Sequence, residues 1–167
     1  DIIIYDLFTE KVNQLSSELS VNAASSANQV ASECDYTVIA VKPKDFSSLV
    51  DSIKDDVKTK DSVIISTAAG TEISKIVSYF GFNVKVARIM PNLNAAAGES
   101  MTALCVSDNV SYDEKAFAGE FCSCFGKYVE LEEKYFSAFT AIAGSAPAFA
   151  FMFADALATA GVKYGLP

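Results

Sequence analysis

Four strand-like runs in this chain end in residues with the chemistry to hold a ligand. Ile2 to Tyr5 is followed by Asp6, and the run from Val38 ends in Ala40, Val41, Lys42 and Pro43. Val63 to Ile65 leads to Ala68, Ala69 and Gly70, and Val84 to Met90 closes in Pro91 and Asn92. A carboxylate offers acceptors to neighbouring hydroxyls, small residues let a ring approach the backbone, and an Asn side chain presents a donor and an acceptor together. Pro43 fixes its own backbone and pushes Lys42 into an extended conformation, which shapes a loop able to line a flat molecule. Each feature alone also has an ordinary explanation: Asp6 as a helix cap, Asn92 as a turn former, the small residues as a turn.

Other chemistry lacks material. The chain has no His, which removes the commonest general base and the commonest transition-metal ligand together. It has no Ser-His-Asp set, no phosphate-binding loop with Lys and Thr, and no acids at an obvious catalytic spacing, so hydrolase and kinase readings fail. Cys34, Cys105, Cys122 and Cys124 fit no zinc pattern and read as reduced thiols. A net charge of -8 disfavours nucleic acid or an anionic membrane as partner. With 51% hydrophobic and 20% charged residues over 167 positions, the chain reads as one well-buried globular core, with room for a small appendage.

The elements that must position these residues alternate. Short Val- and Ile-rich runs bounded by breakers read as strands buried on both faces of a parallel sheet. Between them lie helices predicted over Phe8 to Leu19, capped by Thr9, over Ser26 to Cys34, along the stripe Phe46, Leu49, Val50, Ile53, Val57, and over Glu72 to Phe80 with Gly81 as its stop. Short connections predict right-handed crossovers and a doubly wound α/β sheet. Met101 to Val106 and Gly126 to Leu131 read as added strands that run antiparallel at the sheet edge, with a helix over Tyr112 to Phe125 between them. From about Tyr135 the chain is helical, with an interruption at Gly144 to Pro147. That last helix carries Phe149, Phe151, Met152, Phe153, Leu157 and Ala160 around most of its circumference, so something must enclose it. Ser137 to Ala154 holds no charged residue and reaches the threshold length of a membrane span, but its small polar residues and flanks favour a helix at a subunit interface. The chain opens inside a strand at Asp1, with no visible signal peptide, and is expected to be a fragment.

In such a sheet the ligand lies outside the carboxyl ends of the strands, and a dinucleotide-binding fold places an acid after its second strand to accept hydrogen bonds from the adenosine ribose. Asp6 stands at that position. An acid there repels a 2'-phosphate and favours NAD over NADP, and Lys11 nearby softens the preference.

Taken in order, Ala40-Val41-Lys42-Pro43, Ser66-Thr67-Ala68-Ala69-Gly70, Arg88-Ile89-Met90-Pro91-Asn92, Gly98-Glu99, Thr140 with Gly144-Ser145-Ala146-Pro147-Ala148-Phe149, and Gly161 to Pro167 resemble pyrroline-5-carboxylate reductase. The resemblance implies a Rossmann-like domain over 1–133, incomplete at its N-terminus, followed over 134–167 by the first helix of a helical dimerisation domain. It implies NADP or NAD as cofactor, 1-pyrroline-5-carboxylate as small-molecule substrate, proline as product, a cytoplasmic location, and a homodimer or higher homo-oligomer through the last helix. By position, Asp6, Asn28, Ala40, Val41, Lys42, Pro43, Ala69, Gly70 and Asn92 would meet the cofactor and Glu133 the substrate; no catalytic residue is assigned. The chain departs from the family pattern at Asn94, Ser100, Ser137, Ala143, Ala146 and Phe149, and it contains neither the family's opening Gly-rich loop nor its later Ser-Pro-Gly-Gly-Thr loop. A non-catalytic binding or assembly module, or a related reductase of another small acid, are the alternatives.

Overall fold

In the computed structural model, which describes residues 1–167, the chain divides into two compact units. The first comprises Asp1–Ile89 with Val106–Ala118, and the second Met90–Cys105 with Gly119–Pro167.

The first unit alternates strand and helix: β1 (Ile3–Ile4), α1 (Thr9–Leu19), β2 (Asn22–Ala23), α2 (Ala27–Glu33), β3 (Tyr36–Ile39), α3 (Pro43–Lys60), β4 (Val63–Ser66), α4 (Ile73–Phe80) and β5 (Lys85–Met90), then the first part of α5 (Tyr112–Ser123). β1 pairs with β2, β3 with β4 and β4 with β5, each in parallel. Parallel neighbours need a crossover, which α1, α3 and α4 provide. This is the α/β, mostly parallel architecture that the sequence predicts.

Local chemistry explains the helices. α3 starts with Pro43 in its first turn, where a missing N–H costs nothing, and carries Asp45 early and Lys58 and Lys60 late, matching the helix dipole. Its buried face is Phe46, Val50, Ile53 and Val57, which pack with Ile64 of β4, Ile76 and Phe80 of α4 and Val86 of β5. All four residues of β4 are buried, so it reads as a continuous apolar run rather than an alternation. α4 stops at Gly81, whose φ of 73° suits glycine.

The Thr9 cap expected for α1 is not formed. Thr9 is already the first residue of the helix, out of place for capping, and Asp6 instead accepts the Phe8 N–H at 3.0 Å in a short turn ahead of it. Ser26 does cap α2, accepting the Gln29 N–H at 3.1 Å.

In the second unit a 3-10 turn over Leu93–Ala97 precedes β6 (Ser100–Val106), which pairs in parallel with β7 (Gly126–Glu130). A side chain at Gly126, with φ of 148°, would collide with the backbone of Ser100 opposite it, so only glycine fits there. A helical run then extends from Glu133 to Lys163, through a 3-10 turn at Glu133–Tyr135, α6 (Phe136–Phe139), a π-helical stretch at Thr140–Ser145 and α7 (Ala146–Lys163). By length and composition it could cross a membrane. The interruption predicted at Gly144 to Pro147 is thus a change of winding, not a break. Pro147 has no N–H for the carbonyl of Ala143 four residues earlier. The Asn92 side-chain amide takes its place, donating from Nδ2 to Ala143 O at 2.8 Å.

Candidate functional site

Strand register brings two predicted exits, those of β3 and β4, to one edge of the first unit. Ile39 is paired with Ser66, the last residues of β3 and β4, so these two strands end level with one another, while Arg88 opposite Ser66 lies two residues before the end of β5. The β3 and β4 exits are also joined directly, because Thr67 N donates to Ile39 O at 3.3 Å and Thr67 Oγ1 reaches the same carbonyl at 3.4 Å. Beyond that tie the chain opens outward: Ala40, Lys42, Pro43, Ala69 and Gly70 are exposed, while Val41 is half-buried against the core. Buried Ser66 accepts the Ala68 N–H at 3.3 Å, and Thr71 N closes the turn on Ala68 O at 3.3 Å. Gly70 has φ of 71°, and a Cβ there would meet nothing within 4 Å. The ledge is therefore lined by backbone and small side chains, with room above Gly70 for a flat ring.

Asp6 sits just past β1. Its Oδ1 accepts the Phe8 N–H at 3.0 Å and its Oδ2 accepts from Lys11 Nζ at 3.2 Å. Those two hydrogen bonds, the backbone one first, hold its carboxyl below the usual carboxylate range against a small opposing effect of burial. The group is thus a charged acceptor at neutral pH, beside one cation.

Asn28 takes a different part. It lies on α2 and its Nδ2 donates to Ser52 O at 2.6 Å and to Asp56 Oδ2 at 2.7 Å, both on α3. Both amide hydrogens are thereby engaged in holding two helices together, leaving its carbonyl oxygen as the polar atom a ligand could use.

Asn92 and Glu133 belong to the second unit. Asn92 N donates to Ser100 Oγ at 3.2 Å, and that hydroxyl is hydrogen-bonded to Thr102 Oγ1 at 3.0 Å. With Nδ2 on Ala143 O, the amide orientation is set, and Oδ1 is buried without a hydrogen-bond partner. Glu133 is half-buried at the start of the helical run.

These residues suit a nicotinamide dinucleotide at two places: an acid after β1 for ribose hydroxyls, and a backbone ledge of Ala and Gly at the ends of parallel strands. The pyrophosphate is usually held by a Gly-x-Gly-x-x-Gly turn, and residues 1–167 contain no such run. Sequence reasoning missed the link between Asn92 and Ala143. Its one signal was Pro147, which announces an orphaned carbonyl but not its donor.

Residues 1–70 match the family model described as "NADP oxidoreductase coenzyme F420-dependent", and residues 133–167 match "Pyrroline-5-carboxylate reductase dimerisation". The chain is 39% identical over 165 residues to the pyrroline-5-carboxylate reductase of Aquifex aeolicus, covering 99% of this chain and 60% of that protein. It is 32% identical over 166 residues to the Escherichia coli enzyme, covering 99% and 61%. Among solved structures, the reductase of Streptococcus pyogenes superimposes with a TM-score of 0.89 at 32% identity, over 100% of this chain and 62% of that one. The Plasmodium falciparum enzyme, solved with NADP bound, gives 0.81 at 32%, over 89% and 56%. The chain thus spans about 60% of the length of the Aquifex relative. By sequence and by fold, nearly the whole chain is similar to the pyrroline-5-carboxylate reductases.

Proposed function

We propose that this chain forms the central part of a reductase that converts 1-pyrroline-5-carboxylate to L-proline with NAD(P)H. The observation that carries the reading is the level ending of β3 and β4, with Ala40, Lys42, Pro43, Ala69 and Gly70 exposed there, in a chain that matches those reductases over nearly all its length. When bound, NAD(P)H supplies hydride to the C=N carbon of the substrate. A cyclic imine protonated on nitrogen is already electrophilic, so the protein's task is to hold the two rings in contact and fix the substrate carboxylate. The absence of His is no obstacle to that chemistry.

In this reading Ala40, Val41, Lys42, Pro43, Ala69 and Gly70 line the cofactor with backbone groups, and Asp6 receives the adenosine ribose. Asn28 contributes at most its carbonyl oxygen. Asn92 sits by the nicotinamide and Glu133 by the substrate. Residues 1–133 are the cofactor domain and 134–167 begin a dimerisation domain. Exposed Phe149, Met152, Phe153 and Leu157 support that division, because an apolar helix with no cover needs one. A second copy of the chain is the partner that the match to a dimerisation family favours over a lipid bilayer. The same likeness to bacterial enzymes supports a cytoplasmic location.

The test is to follow NADH and NADPH fluorescence quenching, and proline formation from 1-pyrroline-5-carboxylate, with the 167-residue chain and with the longest natural form of the polypeptide. Binding and turnover in the longer form agree with the proposal. Failure of both forms to bind either nucleotide rejects it.

A further inference from the structure

Resting on the reading that Asn92 sits by the nicotinamide, we propose that Ser100 is a positioning residue for hydride transfer: its hydroxyl pins the backbone of Asn92 and so fixes where the Asn92 side chain lies. Asn92 N donates to Ser100 Oγ at 3.2 Å. Ser100 is itself held from three directions. Its N–H donates to Phe125 O at 3.0 Å, and its hydroxyl is hydrogen-bonded at 3.0 Å to Thr102 Oγ1, two residues on and therefore on the same face of β6. The backbone of Gly126 lies so close against that of Ser100 that no side chain fits between them. Ser100 is 2% exposed and Thr102 0%. A hydroxyl can accept one hydrogen bond while engaged in another. Ser100 Oγ is thus a rigid acceptor for the Asn92 N–H, not a surface group free to turn to water.

The Asn92 side chain shows what that anchor does. Asn92 stands directly ahead of the 3-10 turn over Leu93–Ala97, where an Asn side chain ordinarily accepts from an N–H of the turn, yet it makes no such cap. Its Nδ2 instead donates to Ala143 O at 2.8 Å, and its Oδ1 is buried with no partner. A side chain that forgoes its local cap and leaves an acceptor unpaired is held by its surroundings, not by its own preference. The main chain on Ser100 and the amide on Ala143 are two fixed points, and together they define how the residue lies. Without the Ser100 acceptor only one remains, and Asn92 is free to turn back toward the 3-10 turn. Hydride transfer is sensitive to misplacement by about 1 Å, whereas affinity for a dinucleotide is spread over many contacts. Loss of the anchor therefore shows in rate before it shows in binding.

The experiment compares Ser100→Ala and Thr102→Val with the parent in the longest natural form, using the more tightly bound of NADH and NADPH. Fluorescence titration gives the cofactor Kd, and mixing the bound complex with 1-pyrroline-5-carboxylate gives the single-turnover rate of cofactor oxidation. Ser100→Ala should slow the single turnover by about tenfold while the cofactor Kd stays within about threefold. Thr102→Val strips the other, equally buried hydroxyl from the same bond but leaves Asn92 its acceptor, so rate and Kd should both stay within about twofold. Equal slowing in the two variants makes the effect a general loosening of β6 and overturns the proposal. So does a Ser100→Ala rate within about twofold of the parent, or a loss confined to cofactor affinity. Should Ser100→Ala not fold, hydrogen exchange in the parent decides: the Asn92 amide exchanges more slowly than that of exposed Leu93, and equal rates overturn the proposal. A parent that binds neither nucleotide and oxidises neither sinks the reductase reading and this inference with it, whereas a parent that turns over with an indifferent Ser100→Ala sinks the inference alone.

Discussion

Replacing Asn92 by Ala removes a side chain donating to the carbonyl that the Pro147 backbone cannot serve, and the structure sets the size of the effect. The bond from Nδ2 to Ala143 O is 2.8 Å and partly buried. A neutral hydrogen bond of this kind is worth about 1 kcal/mol net, and stranding the carbonyl raises the loss toward about 2 kcal/mol. Against that, the variant also deletes the buried, unpartnered Oδ1, which recovers part of the cost. Asn92→Ala should therefore destabilise by about 1 kcal/mol. Pro147→Ala restores an N–H four residues after Ala143, so in that background the same change should cost less than about 0.5 kcal/mol. Urea unfolding of the four proteins, with equal slopes as a check on two-state behaviour, measures the coupling. Strict additivity would refute the idea that Asn92 stands in for the missing Pro147 N–H.

Other expectations concern separate parts of the molecule. Lys85 bridges Asp61 at 2.7 Å and Glu114 at 2.9 Å. Hydrogen bonds to Asp61 and then Glu114 raise its pKa against burial. In Glu114, burial raises the pKa, but Ser111 N–H and Lys85 more than offset it, leaving a net lowering. A lowered carboxylate stabilises the fold above its ordinary value and loses that contribution as pH falls through the folded value. A raised lysine contributes below its ordinary value and loses it as pH climbs through the folded one. Lys85→Met should thus cost about 1 to 2 kcal/mol between pH 6 and 9, with the gap to the parent narrowing in acid, as read by thermal melting across pH. Gly126→Ala forces a side chain into the Ser100 backbone at an unfavourable φ, and should cost about 3 kcal/mol or prevent folding, read by circular dichroism. Phe153→Asp on the exposed face of α7 should shift the longest natural form from dimer to monomer by light scattering, with far-UV circular dichroism unchanged.

Much of this was legible because single residues impose local rules. Pro43 and Gly81 fix where α3 begins and α4 ends, and the run Val63 to Ile65 announces a strand buried on both faces. What escaped depends on distance along the chain. Asp6 serves the turn before α1 where Thr9 was expected to, since the choice between two nearby acceptors turns on where the first helical residue falls. The amide of Asn28 is committed to Ser52 and Asp56, over twenty residues on, and that of Asn92 to Ala143, over fifty. No local window contains those partners. Side chains read as ligand contacts can be structural ties because the same donors suit both tasks.

The central claim is that the exits of β3 and β4 hold the nucleotide. Hydrogen exchange of the backbone amides, with and without saturating NADH or NADPH in the longest natural form, tests it most directly. Slowed exchange concentrated at Ala40 to Lys42 and at Ala68 to Thr71 is the predicted result. Cofactor binding that leaves both segments exchanging at their free rate would contradict it.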